Sequence, residues 1–270
     1  MRHLLRRSSA ALVACVFAAN FALSARAEDK SAKKDPPPPA TQVAPGLAKL
    51  VDAPTPLKAD DKIAFFGDSI TMQGGYIKLI GQAIQESPAA KDLGVKLLPH
   101  GLNGGRAPTL LEGQSPWGKL GGTMQELIEK EKPTVVVIFV GINDVWHGAK
   151  GTTPEDYEAA LKKMLALARS AGAAVVLCTP TVIGEKTDAS NGMDKGLDQY
   201  AQIVRKQAAA EKATLCDLRK AFAQELAKIN TENKPSGILT YDKVHMKPPG
   251  NALIADRLGP ALAEALRGRK

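Results

Sequence analysis

The sequence predicts an α/β fold, a three-layer α/β/α sandwich around a central five-stranded parallel sheet, and two observations predict it. Five apolar runs of strand length, at residues 62–66, 95–99, 134–140, 173–178 and 213–217, alternate with segments of helical periodicity. In addition, Thr134-Val-Val-Val-Ile-Phe-Val140 has no polar alternation, so both of its faces require burial. That is the pattern of a central strand covered by helices on two sides, with right-handed crossovers linking it to its neighbours.

The first strand, Lys62-Ile-Ala-Phe-Phe66, runs into Gly67-Asp68-Ser69 and sets a serine on a strand-to-helix turn ahead of a helix over 76–86. The second strand ends in His100-Gly101-Leu-Asn-Gly104-Gly105, and a helix is expected over 120–130. After the third strand come Gly141-Ile-Asn143-Asp144 and a helix over 154–171. In that helix Tyr157, Leu161, Leu165 and Ala168 keep a 3–4 spacing, with Lys162, Lys163 and Arg169 opposite. Thr153 is placed to cap it, and Pro154 suits its first turn. Strands four and five precede helices over 194–211 and 218–230, and Asp242-Lys-Val-His245 lies just ahead of a helix over 250–266. Ligands of such folds sit beyond the C-terminal ends of the strands, where these polar segments fall.

Ahead of this domain, assigned to 59–270, two further segments are read. Residues 1–27 form an export signal: Arg2, Arg6 and Arg7 make a basic start, 10–23 is apolar, and Ala25-Arg-Ala27 is a small-x-small cleavage site. The apolar stretch is too short to span a membrane. Leu12-Val-Ala-Cys15 offers a competing lipoprotein reading, disfavoured because apolar residues continue past Cys15. Residues 28–58 form a linker, with Lys-Lys-Asp-Pro-Pro-Pro-Pro in its first half. The expected location is exported, periplasmic or secreted. Cleavage removes four arginines and no acid, so the formal charge falls from +8 to +4, and no basic stripe argues for nucleic acid. Cys178 and Cys216 lie inside strand runs, where they read as small core residues; neighbouring parallel strands rarely give disulfide geometry.

The chemistry is that of nucleophilic acyl transfer. A serine needs a base and the base needs an orienting group; His245 and Asp242, three residues apart, supply both to Ser69. A tetrahedral oxyanion needs donors, and the Ser69 N–H, the Gly101 N–H and the Asn143 side-chain amide are candidates. Gly104 and Gly105 offer alternative alignments for Gly101. No Gly-x-Ser-x-Gly elbow, His-Glu-x-x-His pair or P-loop occurs. His100, His147 and His245 with Asp68 form a conceivable zinc set, but nothing in their spacing requires a metal, and His245 serves better as a base. No metal or organic cofactor is expected.

In these segments the chain resembles the SGNH (GDSL-type) hydrolase family over about residues 62–258. Gly67-Asp68-Ser69 resembles its nucleophile block, Gly101 its second-block glycine, Asn143 its third-block asparagine, and Asp242-Lys-Val-His245 its last block. The resemblance implies a flavodoxin-like sheet and a serine esterase. Trp117, Trp146, His147 and Arg106 fall in candidate rim loops. Indole faces pack on the apolar faces of sugar rings, so a short-chain, acetyl-type ester of a carbohydrate is the expected substrate. Lysophospholipases, thioesterases and acyltransferases share the blocks, and a carbohydrate-binding module without catalysis is the rival from another class. Oligomeric state is not legible.

Overall fold

The computed structural model describes residues 44–146 and 151–269. Its main sheet holds β1 (Lys62–Gly67), β2 (Lys96–Gly101), β5 (Val135–Phe139), β6 (Ala174–Cys178) and β7 (Thr214–Cys216). They run in the order β2-β1-β5-β6-β7, all parallel. As expected from its unbroken apolar run, β5 is central and buried along its whole length. The chain leaves β1 to build β2 on one side, then returns to lay β5 on the other. That reversal falls between β1 and β5, and the carboxyl ends of strands at such a point are where sheets of this kind bind ligands.

Helices cover both faces. On one lie α1 (Pro45–Val51), α3 (Gly75–Glu86) and α10 (Pro248–Arg267); on the other lie α4 (Ala107–Glu112), α5 (Met124–Glu131), α7 (Pro154–Ser170) and α8 (Asp194–Ala210). The α9 helix (Leu218–Ile229) joins α8 and α10. The cap expected at Thr153 is formed, its hydroxyl accepting the Asp156 N–H at 3.1 Å. The helix expected from 120 begins instead at Met124, because Thr123 and Glu126 close a reciprocal capping box there. Residues just before it form a small hairpin of β3 (Gln114–Ser115) and β4 (Gly118–Lys119).

Two other differences bear on function. Residues 44–58, at the end of the segment read as a linker, pack on the domain. Leu47, Leu50, Val51 and Leu57 are buried, Ser87 Oγ donates to Val51 O at 2.6 Å, and Arg269 binds Asp61 and the Pro56 carbonyl. Their apolar side chains meet α10, whose Gly259 lets the backbones approach. Short helices α2 (Ser69–Gln73), α4 and α6 (Ile142–Trp146) also went unread, since one or two turns show no periodicity. Cys178 and Cys216 are register partners on β6 and β7, buried and unbridged. Among the described residues no helix is long and apolar enough to cross a membrane.

Candidate active site

Ser69 is the first residue of α2, directly beyond the buried end of β1. Asp68 caps that helix, its Oδ1 accepting the Ile70 N–H at 2.9 Å. Gly67 is required by contact: an added Cβ would lie 2.0 Å from Thr71 Oγ1 and 2.7 Å from the Phe139 carbonyl oxygen. Because α2 spans only Ser69–Gln73, its assistance to an anion is local N–H donation rather than the field of a long helix.

Ser69 Oγ lies 2.9 Å from His245 Nε2, and His245 Nδ1 lies 2.7 Å from Asp242 Oδ2. The other carboxylate oxygen, Oδ1, accepts the N–H groups of His245 (2.8 Å) and Val244 (3.1 Å), which fixes the acid against the ring it serves. Burial alone would raise the Asp242 carboxyl; the His245 ring and these amides outweigh it and hold it below its ordinary range. An ionised Asp242 can only accept, so Nδ1 bears the ring proton and Nε2 faces the serine hydroxyl as an acceptor. Lys243, between the two, has φ 83°, a left-handed conformation rare for a residue with a side chain.

Gly101 does not stand as the sequence led us to expect. Lys96 N→Asp61 O and Leu102 N→Gly67 O show that the even-numbered amides of β2 donate to β1. Gly101 N–H therefore points to the open sheet edge. Its small size serves α2 instead, since an added Cβ would lie 2.1 Å from Met72 N. Next along the chain, residues 102–105 form a turn closed by Gly105 N→Leu102 O at 2.8 Å, with Gly104 at φ 64°. The Gly104 N–H takes no hydrogen bond among the described residues. Asn143 Nδ2 donates to Gly105 O at 3.1 Å, tying α6 to this turn and leaving its second hydrogen available.

Asp144 was not singled out in the sequence, yet it ties the same turn from the other end. It is buried and accepts the Ala107 N–H at 3.0 and 3.3 Å, and burial pushes its carboxyl up to about 6. Only its place in Gly-Ile-Asn-Asp hinted at this. Asp68 is likewise buried and pushed up to about 7, and its Oδ2 has no partner among the described residues.

Around these groups stands an apolar rim. Met72, Trp117, Trp146 and Tyr241 are exposed, from 43% for Trp146 to 63% for Tyr241. Each adjoins a site element: Met72 lies on α2, Trp146 ends α6, Tyr241 precedes Asp242, and the Trp117 ring covers Gly104. Met72 and Tyr241 carried no sequence signal. Arg106 sits ahead of α4 at the end of a surface groove lined also by Glu112, Asp156 and Lys163. His100 belongs elsewhere, stacked on Phe66 and 2.7 Å from Glu131 Oε2. His147 lies outside the described residues.

Residues 65–253 match the GDSL-like Lipase/Acylhydrolase family. An acetylxylan esterase of Geobacillus stearothermophilus is 25% identical over 218 residues, spanning 72% of this chain and 90% of the relative. Among solved structures, the acetyl xylan esterase AlAXEase is 36% identical, covers 73% of this chain and 97% of its own, and superposes with a TM-score of 0.66. Axe2, an acetylxylan esterase from Geobacillus stearothermophilus, shares the fold with a TM-score of 0.61 at 22% identity, over 78% of this chain and 96% of its own.

Proposed function

Since the chain belongs to the GDSL-like lipase/acylhydrolase family and is a carboxylic ester hydrolase, we propose that it removes acetyl groups from carbohydrate esters through an acyl-enzyme on Ser69. The observation that carries this reading is the continuous relay from Ser69 Oγ through His245 to Asp242, at 2.9 and 2.7 Å. His245 Nε2 takes the serine proton as Oγ attacks the ester carbonyl, then returns it to the departing sugar oxygen. Asp242 stabilises the imidazolium that forms and stays ionised. Water, activated by the same histidine, then releases the acyl group. This sequence of steps balances with no cofactor.

Three donors are assigned to the oxyanion: the Ser69 N–H, the free hydrogen of Asn143 Nδ2, and the Gly104 N–H in place of Gly101. Two features favour a small acyl group on a sugar. The relatives named above are acetylxylan esterases, and the exposed Met72, Trp117, Trp146 and Tyr241 offer apolar faces to sugar rings at the site's edge. Export by residues 1–27, followed by a linker that gives way to the packed domain near residue 44, completes the proposal.

The test is the initial rate on p-nitrophenyl acetate, butyrate and octanoate, and acetate release from acetylated xylo-oligosaccharides, with Ser69→Ala alongside. Turnover lost in Ser69→Ala and falling steeply with chain length is the expected result. Rates that rise with chain length would reassign the substrate to lysophospholipid or thioester classes. Turnover that survives in Ser69→Ala would remove the serine from the mechanism.

A further inference from the structure

The segment that presents Asp242 and His245, residues 230–247, contains no helix or sheet strand, only an isolated bridge between Thr240 and Met246. Something else must fix it to within the fraction of an ångström a proton relay needs. Two consecutive residues beyond β6 do so from either side of Asp242. Gly184 N donates to the Lys243 carbonyl at 2.9 Å, inside the Asp-x-x-His segment itself. Glu185, fully buried, turns its carboxylate to the other side. Its Oε2 accepts the Ile238 N–H at 2.8 Å, and its Oε1 accepts the Leu239 N–H (2.7 Å), the Thr240 N–H (2.5 Å) and the Thr240 hydroxyl (2.8 Å).

Glu185 forms no ion pair among the described residues. A buried carboxylate without a cation is costly unless its lone pairs are filled, and here one short stretch of loop fills them. A hydrophobic side chain would fill the space but leave three loop N–H groups, two of them buried, without their acceptor, so the acid and the loop conformation depend on each other. The held stretch connects directly to the relay: Tyr241 N donates to the His245 carbonyl at 2.8 Å, and Lys247 N to the Leu239 carbonyl at 2.8 Å. His245 is thus bracketed by residues 239–241, and two of these end on Glu185.

We infer that Glu185 is a positioning residue for the Asp242–His245 pair, a buried side chain that accepts four hydrogen bonds from the loop and holds it in register with Ser69. The inference rests on the proposed relay. Its test is a double-mutant cycle on p-nitrophenyl acetate. Glu185→Gln keeps the shape but turns an NH₂ group toward backbone N–H donors. We expect kcat to fall about ten- to a hundred-fold with KM within about twofold of the parent. In an Asp242→Asn background the same change should cost no more than about twofold, because the pair it positions is already broken.

A folded Glu185→Gln protein with parental kcat, or one that loses the same factor in both backgrounds, overturns the inference. Should Glu185→Gln fail to fold, Thr240→Val, which removes one donor and keeps the volume, is read in the same cycle. A loss of about threefold confined to the Asp242 background supports the inference, and an equal loss in both, or none, overturns it. Failure of the relay itself is read separately, as full activity of Asp242→Asn on its own.

Discussion

Ser69 and His245 meet at 2.9 Å, but they reach that point from unlike regions of the molecule. The serine stands on the sheet. Behind it β1 is buried from Ile63 to Gly67, Asp68 is buried, Gly67 admits the Thr71 side chain and the Phe139 carbonyl, and Gly101 admits the α2 backbone, at distances no side chain would tolerate. His245 and Asp242 stand on an irregular loop. Asp242 is exposed and His245 partly so; they bond each other, and the loop around them is tied by Lys243 to Gly184 and by residues 238–240 to Glu185. A packed sheet cannot shift one residue without repacking many, whereas a polar loop can move at the cost of a few bonds. Substitutions on the serine side should therefore appear first as lost stability, and those on the histidine side as lost turnover in a folded protein.

The strongest way to break that contrast is His245→Ala. It removes a partly exposed side chain, so the melting temperature should stay within about 2 °C while kcat falls by at least ~10³-fold. A folded variant keeping a tenth of parental turnover would mean another group acts as base. Asn143→Ala comes next, with kcat down roughly 10²–10³-fold as for one oxyanion donor. Because Asn143 Nδ2 also binds Gly105 O, some loosening of the 102–105 turn should accompany it. An unchanged kcat would move the oxyanion elsewhere. On the serine side, Gly67→Ala forces a Cβ to 2.7 Å from a backbone oxygen of β5, which the sheet cannot yield. The expected cost is about 3 kcal/mol, or a melting temperature lower by roughly 10 °C. Parental stability in that variant would refute the rigid-sheet account.

The same division governs what the sequence made legible. Strands and long helices were readable because burial imposes a period on many residues at once. Asp242 and His245 drew notice as a pair three residues apart, and Ser69 because it follows a strand-like run in a segment that resembles a family block. What escaped was whatever depends on direction or on distant partners. Gly101 and Gly104 are the same residue type a few positions apart. The parity of the β2 hydrogen bonds turns the Gly101 amide to the sheet edge, whereas the Gly104 amide, in the turn beyond, has no acceptor among the described residues. Glu185 is one acid after an apolar run, and its partners at 238–240 are joined to it by folding alone. Residues 44–58 carry a linker's prolines, yet four of their apolar side chains find cover on the domain.

The smallest predicted effect sharpens the contrast through pH. The two regions carry carboxylates shifted in opposite directions. Burial drives Asp68 from 3.8 up to about 7, whereas Asp242 is held below its ordinary range. Between about pH 4 and 7 the folded state keeps the Asp68 proton that the unfolded chain has already released. Folded protein then binds more protons than unfolded, and stability falls as pH rises through that window. Asp144, pushed up to about 6, adds the same sign over the lower part of it. Asp242 acts the other way, losing stability as pH drops below the carboxylate range, but its exposure keeps that contribution small. Asp68→Asn retains an acceptor for the Ile70 N–H and removes the titration. Its melting temperature should therefore fall less than the parent's between pH 5 and pH 8, by roughly 5 °C. An equal fall in both proteins would show that Asp68 is ionised across the whole range, with its buried Oδ2 stabilised by a donor beyond those described.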